Sequence, residues 1–234
     1  TEWGYDRNGQ SPLHVPAVPG EDSAHMQAYW ILRALMAIQF AGVDRNNYFW
    51  LYQQANGTRF DTLRTGTFGS CALLDGYYSN VTGKGYATPM PAYWYFVSFY
   101  TTFRNYQPDT ILRENPGDSI WIYRFRQAYT LDTVVEAVWC PTIINKKINN
   151  YVYKITPNTA YSIIQFKDSS YTGNIINGVS DSSGNIIINI SENPIFIRYV
   201  RPIGTGYINN NKNMFIAYEN NKKYKYIKER IDNE

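Results

Sequence analysis

Two rhythms of apolar and polar positions run along this chain, and they change over near Tyr106. From His25 to Ala41 the chain is apolar almost throughout, and Arg33 is the only formally charged residue between His25 and Val43. Met26, Tyr29, Trp30, Leu35, Ile38 and Phe40 point in several directions around a helical axis, which predicts a helix covered on most sides. Asp22 or Ser23 can cap its start, and Gly42 suits the left-handed position just past its end. The aromatic run from Asn47 to Tyr52 then predicts a short buried strand. Residues 53–88 are rich in Gly, Thr, Asn and Tyr and show no convincing period, so they predict an irregular connection of the functional or mobile kind. Pro89 and Pro91 stand where proline is tolerated at a helix start. The second helix is predicted from Ala92 to about Asn105, with Trp94, Phe96, Val97, Tyr100 and Phe103 as its apolar face.

Beyond Asp109 the pattern shortens to strands. Segments 120–125, 133–139, 151–155, 160–166, 171–177, 185–190 and 195–200 alternate or run apolar, and turn chemistry separates them. Asn115-Pro116-Gly117-Asp118, Asp181 to Gly184, and Glu192-Asn193-Pro194 are examples of those turns. Seven short strands at this spacing predict an antiparallel β-sandwich. The chain thus divides by pattern into an α/β part over residues 1–106, an all-β part over 107–204, and an Asn-, Lys- and Tyr-rich tail over 205–234 that forms an extra hairpin or a docking arm.

Composition changes this picture little. Hydrophobic residues make up 44% of the 234, enough for a packed core. Aromatic content is high at 17%, with 22 Tyr, 11 Phe and 6 Trp; such rings stack on sugars but also fill β-sandwich cores. The net charge is only +3, which gives no reason to expect a nucleic-acid partner. No apolar run reaches the roughly 18 residues needed to span a bilayer, so no membrane span is expected. Cys71 and Cys140, with two histidines, make neither a metal-ligand pattern nor a disulfide framework, and no phosphate loop or nucleophile elbow is present. No metal or cofactor is therefore expected. The chain opens at Thr1-Glu2-Trp3 without a methionine, as a processed product or a fragment would.

Three stretches together resemble retaining glycoside hydrolases of the large clan built on a (β/α)8 barrel with a C-terminal β-sandwich. Thr1 to Asp6 is similar to the end of the seventh barrel strand. Met26 to Arg33, followed by Ala41-Gly42-Val43-Asp44-Arg45, looks like the seventh helix and the entry to strand eight. Gly184 to Ile197 resembles the closing hairpin of the sandwich. The resemblance implies that the chain holds the last βα units of such a barrel followed by an antiparallel sandwich. The remaining βα units would come from upstream sequence or from another chain.

Retaining glycosidases use two carboxyl groups, one as nucleophile and one as acid and then base. By the resemblance Glu2 is the nucleophile, and its acid/base partner would lie upstream of Thr1, so at most half of the catalytic pair is in this chain. Tyr5 and Asp6 would sit at the catalytic face; Asp6 is either a ligand for sugar hydroxyls or a salt bridge or loop cap. Trp50 and Tyr52 would supply a sugar platform or else barrel core, and alternation lets only one of them point inward. Gln53 stands where related sequences often place an acid. His14 reads as a solvated loop histidine and His25 as a helix opener. Glu136 and Asp168 appear scattered, with no second site between them. The implied partners are carbohydrate and the remainder of the barrel, and the setting is secreted, cell-surface or virion-associated. The alternative is a non-catalytic carbohydrate-binding or structural component of a larger assembly such as a virion or cell-surface complex.

Overall fold

The computed structural model describes residues 2–43, 46–48, 51–56, 70–79, 82–129 and 132–201, with backbone only for residues 2, 52–56, 77–79 and 86. Trp50 and the tail over 205–234 lie outside the described residues. The described chain is mostly β-sheet with two helices.

Strand β1 (Glu2–Trp3) leads through a long loop to helix α1 (Ser23–Phe40), and the chain returns as β2 (Asn47–Tyr48), which pairs parallel with β1. The register sets Glu2 opposite Asn47 and Trp3 opposite Tyr48. Helix α1 begins where the sequence places it. Asp22 caps it by accepting from the amides of Ala24 and His25, both at 2.9 Å. Past its end Gly42 adopts φ +70°, the left-handed conformation that ends a helix without a Cβ penalty. Helix α2 (Pro91–Phe103) packs against α1 and opens on Pro91 as expected.

Between the helices the expectations need two corrections. The run from Asn47 to Tyr52 is not one buried strand: Asn47 is exposed, Leu51 is 60% exposed and lies outside any strand, and a separate strand, β3 (Tyr52–Asn56), begins at Tyr52. Residues 53–88 are not wholly irregular either. β3 pairs parallel with β4 (Leu74–Ser79), which pairs antiparallel with β5 (Lys84–Pro89), giving a three-stranded sheet. Side-chain alternation does not betray these strands, because residues 82–88 of the hairpin are exposed wherever their side chains are described. Backbone pairing alone defines them.

The all-β part is an antiparallel, two-layered arrangement. Its strands are β6 (Tyr106–Arg113), β7 (Trp121–Gln127), β8 (Thr133–Trp139), β9 (Ile148–Lys154), β10 (Ala160–Gln165), β11 (Asn174–Val179), β12 (Asn185–Ile190) and β13 (Ile195–Val200). A six-stranded sheet runs β11-β10-β13-β8-β7-β6, and β9 with β12 forms a separate two-stranded ribbon. β6 is a further correction: its segment contains Pro108 and lacks alternation, and two register shifts against β7 fit it in. β11 begins at Asn174 rather than at position 171. Ser170 Oγ accepts from the amides of Thr172 and Gly173, and Gly173 has φ +72°, so a tight loop takes those residues.

The large sheet is buried on both faces at its centre. On one face Tyr123, Phe125, Val135, Ala137, Trp139 and Phe196 join a core with α1 and α2; on the other Ile122, Val134, Val138, Ile195 and Ile197 meet Tyr153, Ile155, Ile186, Ile188 and Ile190 of the ribbon. This is why 134–139 is buried at every position and does not alternate. Arg33 ties α1 to the sheet: its guanidinium donates to the carbonyls of Glu192 (2.6 Å), Cys140 (3.1 Å) and Thr142 (3.4 Å) and lies over Trp30. Burial pulls that guanidinium down to about 10, with Glu192 opposing the fall.

Two glycines, Gly173 and Gly184, are fixed by both conformation and space. Gly184 has φ +83°, and a Cβ there would sit 2.2 Å from the carbonyl oxygen of Ile155. Gly184→Ala is therefore expected to cost about 1–3 kcal/mol, read as a fall in the midpoint of urea unfolding at unchanged slope.

Candidate active site at the end of the first strand

Because β1 and β2 are parallel neighbours joined through α1, both strands end on the same side. The organising residue is Gln27 of α1, which has no solvent exposure. Its amide nitrogen donates toward the carbonyls of Tyr5 (2.7 Å), Cys71 (3.1 Å) and Ser70 (3.2 Å), and Tyr48 Oη lies 3.5 Å away. One side chain thus joins the exit of β1, the segment 70–71 and strand β2. The Tyr48 hydroxyl donates to the Cys71 carbonyl at 2.7 Å, and burial raises its phenol far above the ordinary value. Trp3 Nε1 donates to Asn46 Oδ1 at 3.1 Å, closing the same cluster beneath the strand ends.

Asp6 is fully buried. Its Oδ1 accepts from the amides of Ser70 (3.0 Å) and Asn8 (3.1 Å) and from the Ser70 hydroxyl. Through Oδ1 the carboxylate fastens the β1 loop to the 70–71 segment. Arg7 reinforces the junction, donating to the Ser70 carbonyl (3.2 Å) and pairing with Asp75 at 3.3 Å. Tyr5 is half-buried and packs edge-on against Trp3 and Trp30; burial raises its phenol and Arg33 partly offsets this. Burial, then the Asp6 charge, pushes the Cys71 thiol up to about 12, so it is held as a thiol and not as a nucleophilic thiolate.

Glu2 is placed by its backbone in β1 and Tyr52 by its backbone in β3; their side chains, like Trp50, lie outside the described residues. The structure thus brings Glu2, Tyr5 and Asp6 to one strand end. His14 is exposed, with Nδ1 2.6 Å from the Ser11 carbonyl, as a loop histidine should be. Among the described residues no three His, Cys, Asp or Glu side chains converge on a point that would hold a metal. An open cleft of about 290 Å³ lies toward the other end of α1, between Gln39, Asn46, Phe96, Tyr100 and Phe103, and meets this cluster only through Asn46.

The acids that look scattered in sequence are engaged in space. Glu136 accepts from Arg124, Tyr153 and Tyr199 inside the sandwich. Asp168 reaches His25, which also contacts Asp22. Strand alternation could have put Glu136 on the ribbon face, but no sequence signal joins Asp168 to a histidine so far away along the chain.

No family model and no curated protein sequence matches the chain. Among the solved structures that are similar in part are two glycoside hydrolases. One is a family 39 glycoside hydrolase from the gut symbiont Bacteroides cellulosilyticus WH2, at 14% identity and TM-score 0.47, over 76% of this chain and 31% of that one. The other is a GH30 endoxylanase from Clostridium papyrosolvens C71, at 8% identity and TM-score 0.43, over 86% of this chain and 42% of that one. The chain spans less than half the length of either glycoside hydrolase.

Proposed function

We propose that this chain is the C-terminal segment of a carbohydrate-active enzyme that hydrolyses O-glycosidic bonds with retention, with Glu2 as nucleophile and the acid/base carboxyl supplied by the rest of a barrel. The observation that carries this reading is the strand–helix–strand unit β1–α1–β2. The sequence resemblance expects barrel strands seven and eight, parallel and adjacent, with the nucleophile on the first. The chain has a parallel pair joined through a covered helix, with Glu2 on the first strand.

In the reaction, the Glu2 carboxylate would attack the anomeric carbon as the glycosidic C–O bond breaks. The partner carboxyl protonates the leaving oxygen and then takes a proton from the water that releases the sugar. The Gln27 cluster would act indirectly, by fixing the exit of β1 to α1 and to the 70–71 segment.

The test is to trap the intermediate. The full-length enzyme is mixed with an activated glycoside that glycosylates faster than it deglycosylates, quenched in acid and digested. The peptide that contains Glu2 is expected to carry one added glycosyl unit. A labelled peptide from elsewhere in the enzyme, with this one unmodified, would sink the assignment of Glu2.

A further inference from the structure

The loop between β10 and β11, residues 166–173, holds on to both helices. Ser98 of α2, fully buried, donates its hydroxyl to the Ser170 carbonyl at 2.9 Å. Tyr171 lies edge-on to Trp94 of α2 with centroids 5.2 Å apart, and Phe166 meets Tyr95 in the same way at 6.3 Å. Toward α1 the contact is ionic: His25 Nε2 is 3.2 Å from Asp168 Oδ2, while its Nδ1 is 2.6 Å from Asp22 Oδ2.

Both ring nitrogens therefore face carboxylate oxygens, and a neutral imidazole can donate from only one of them. Without the second proton, a ring lone pair would point at a carboxylate. We propose that Asp22, His25 and Asp168 form a proton-operated latch: the imidazolium holds the Asp168 corner of the 166–173 loop against the start of α1, and loss of one proton frees that corner while the contacts to α2 keep the rest of the loop in place.

The surroundings support this. The groups facing the ring are Asp22 from the α1 cap, Asp168 from the loop, and Tyr29 on α1, whose ring centroid is 6.3 Å away. Glu21 and Tyr95 of α2 act on Tyr29 in turn. Burial holds Tyr29 and Tyr95 protonated far above neutrality, so the phenols do not titrate with the latch. For His25 burial favours the neutral ring, but Asp22 and then Asp168 outweigh it and raise the value above 6.5. Asp22 is shifted the other way: burial opposes, yet bonds to His25 and Ala24 hold it below 3.8. The histidine contribution is complete below about 6.5 and is lost as pH rises through the raised value; the Asp22 contribution is complete above about 3.8 and is lost as pH falls through the lowered one. The latch is thus shut through mild acid and opens on the alkaline side.

The test uses NMR on the 234-residue chain, which has two histidines, with His14→Gln to assign their signals. His25 is expected to titrate above 6.5, and the amides of residues 168–171 to shift with the same midpoint. The exchange protection of the Thr172 and Gly173 amides, which donate to Ser170 Oγ, should fall about threefold on deprotonation once corrected for the intrinsic pH effect. In Asp168→Asn the midpoint should drop and the loop amides should stop following it. In His25→Gln the Thr172 and Gly173 amides should stay at the lower protection at every pH. Loop amides indifferent to His25, an unmoved midpoint in Asp168→Asn, or full protection in His25→Gln at pH 5.5 would each overturn the latch.

Discussion

Glu2→Gln is expected to reduce the turnover of glycosides by the full-length enzyme by about 10⁴-fold or more, while leaving the fold intact. The amide is the same size as the carboxylate but cannot form the covalent bond to the anomeric carbon. β1 is held by backbone pairing to β2 and by the Gln27 bond to the Tyr5 carbonyl, none of which involves the carboxylate. Circular dichroism and the melting temperature should therefore match wild type while kcat collapses. A companion variant separates lost chemistry from a disturbed site. Glu2→Ala leaves room for a small anion, so added azide should attack the same carbon, expel the activated leaving group and give a glycosyl azide of inverted configuration. Wild-type turnover in Glu2→Gln would refute the nucleophile. Loss of turnover in both variants with no azide product would point instead to a structural role for Glu2.

The sequence reveals those parts of this fold whose causes are local. Helix α1 is predicted to within two residues because Asp22 caps it and Gly42 ends it, and both signals are intrinsic to the chain. Strands 133–139, 185–190 and 195–200 match because each is an apolar run bounded by turn residues. The misses have the opposite character. β3, β4 and β5 exist through cross-strand pairing, and β6 accommodates a proline by register shifts; none of these leaves a period to read. The candidate site divides in the same way. Glu2, Tyr5 and Asp6 are adjacent in sequence and arrive together, but the residue that organises them does not announce itself. Gln27 reads as one polar position in a covered helix. Its importance comes from three carbonyls that the tertiary fold brings to it. Asp6 shows the limit from the other side. Sequence leaves ligand and loop cap open, and its bond to Ser70 forms only in the folded chain.

The second large effect lies inside the sandwich. Glu136 is 1% exposed, with Arg124 Nε at 2.6 Å, the Tyr153 hydroxyl at 2.5 Å and the Tyr199 hydroxyl at 3.0 Å. Register makes this arrangement: Arg124 stands opposite Glu136 across β7 and β8, these two and Tyr199 project from the large sheet toward the ribbon, and Tyr153 of β9 reaches Glu136 from the ribbon side. Removing one member of such a set leaves the others desolvated without a partner. Glu136→Leu is accordingly expected to destabilise by about 3–5 kcal/mol, a fall in melting temperature of roughly 10 °C for a chain of this size. Replacing the whole set by apolar groups (Arg124→Met, Glu136→Leu, Tyr153→Phe, Tyr199→Phe) should recover most of that loss, because no buried charge then remains unpaired. The two measurements together distinguish an ion-pair network from simple packing. If the quadruple variant were less stable than Glu136→Leu alone, the loss would come from packing volume, and the charge would not be its cause. Recovery in the quadruple variant would show that the network fixes which residues pair between the layers more than it adds net stability.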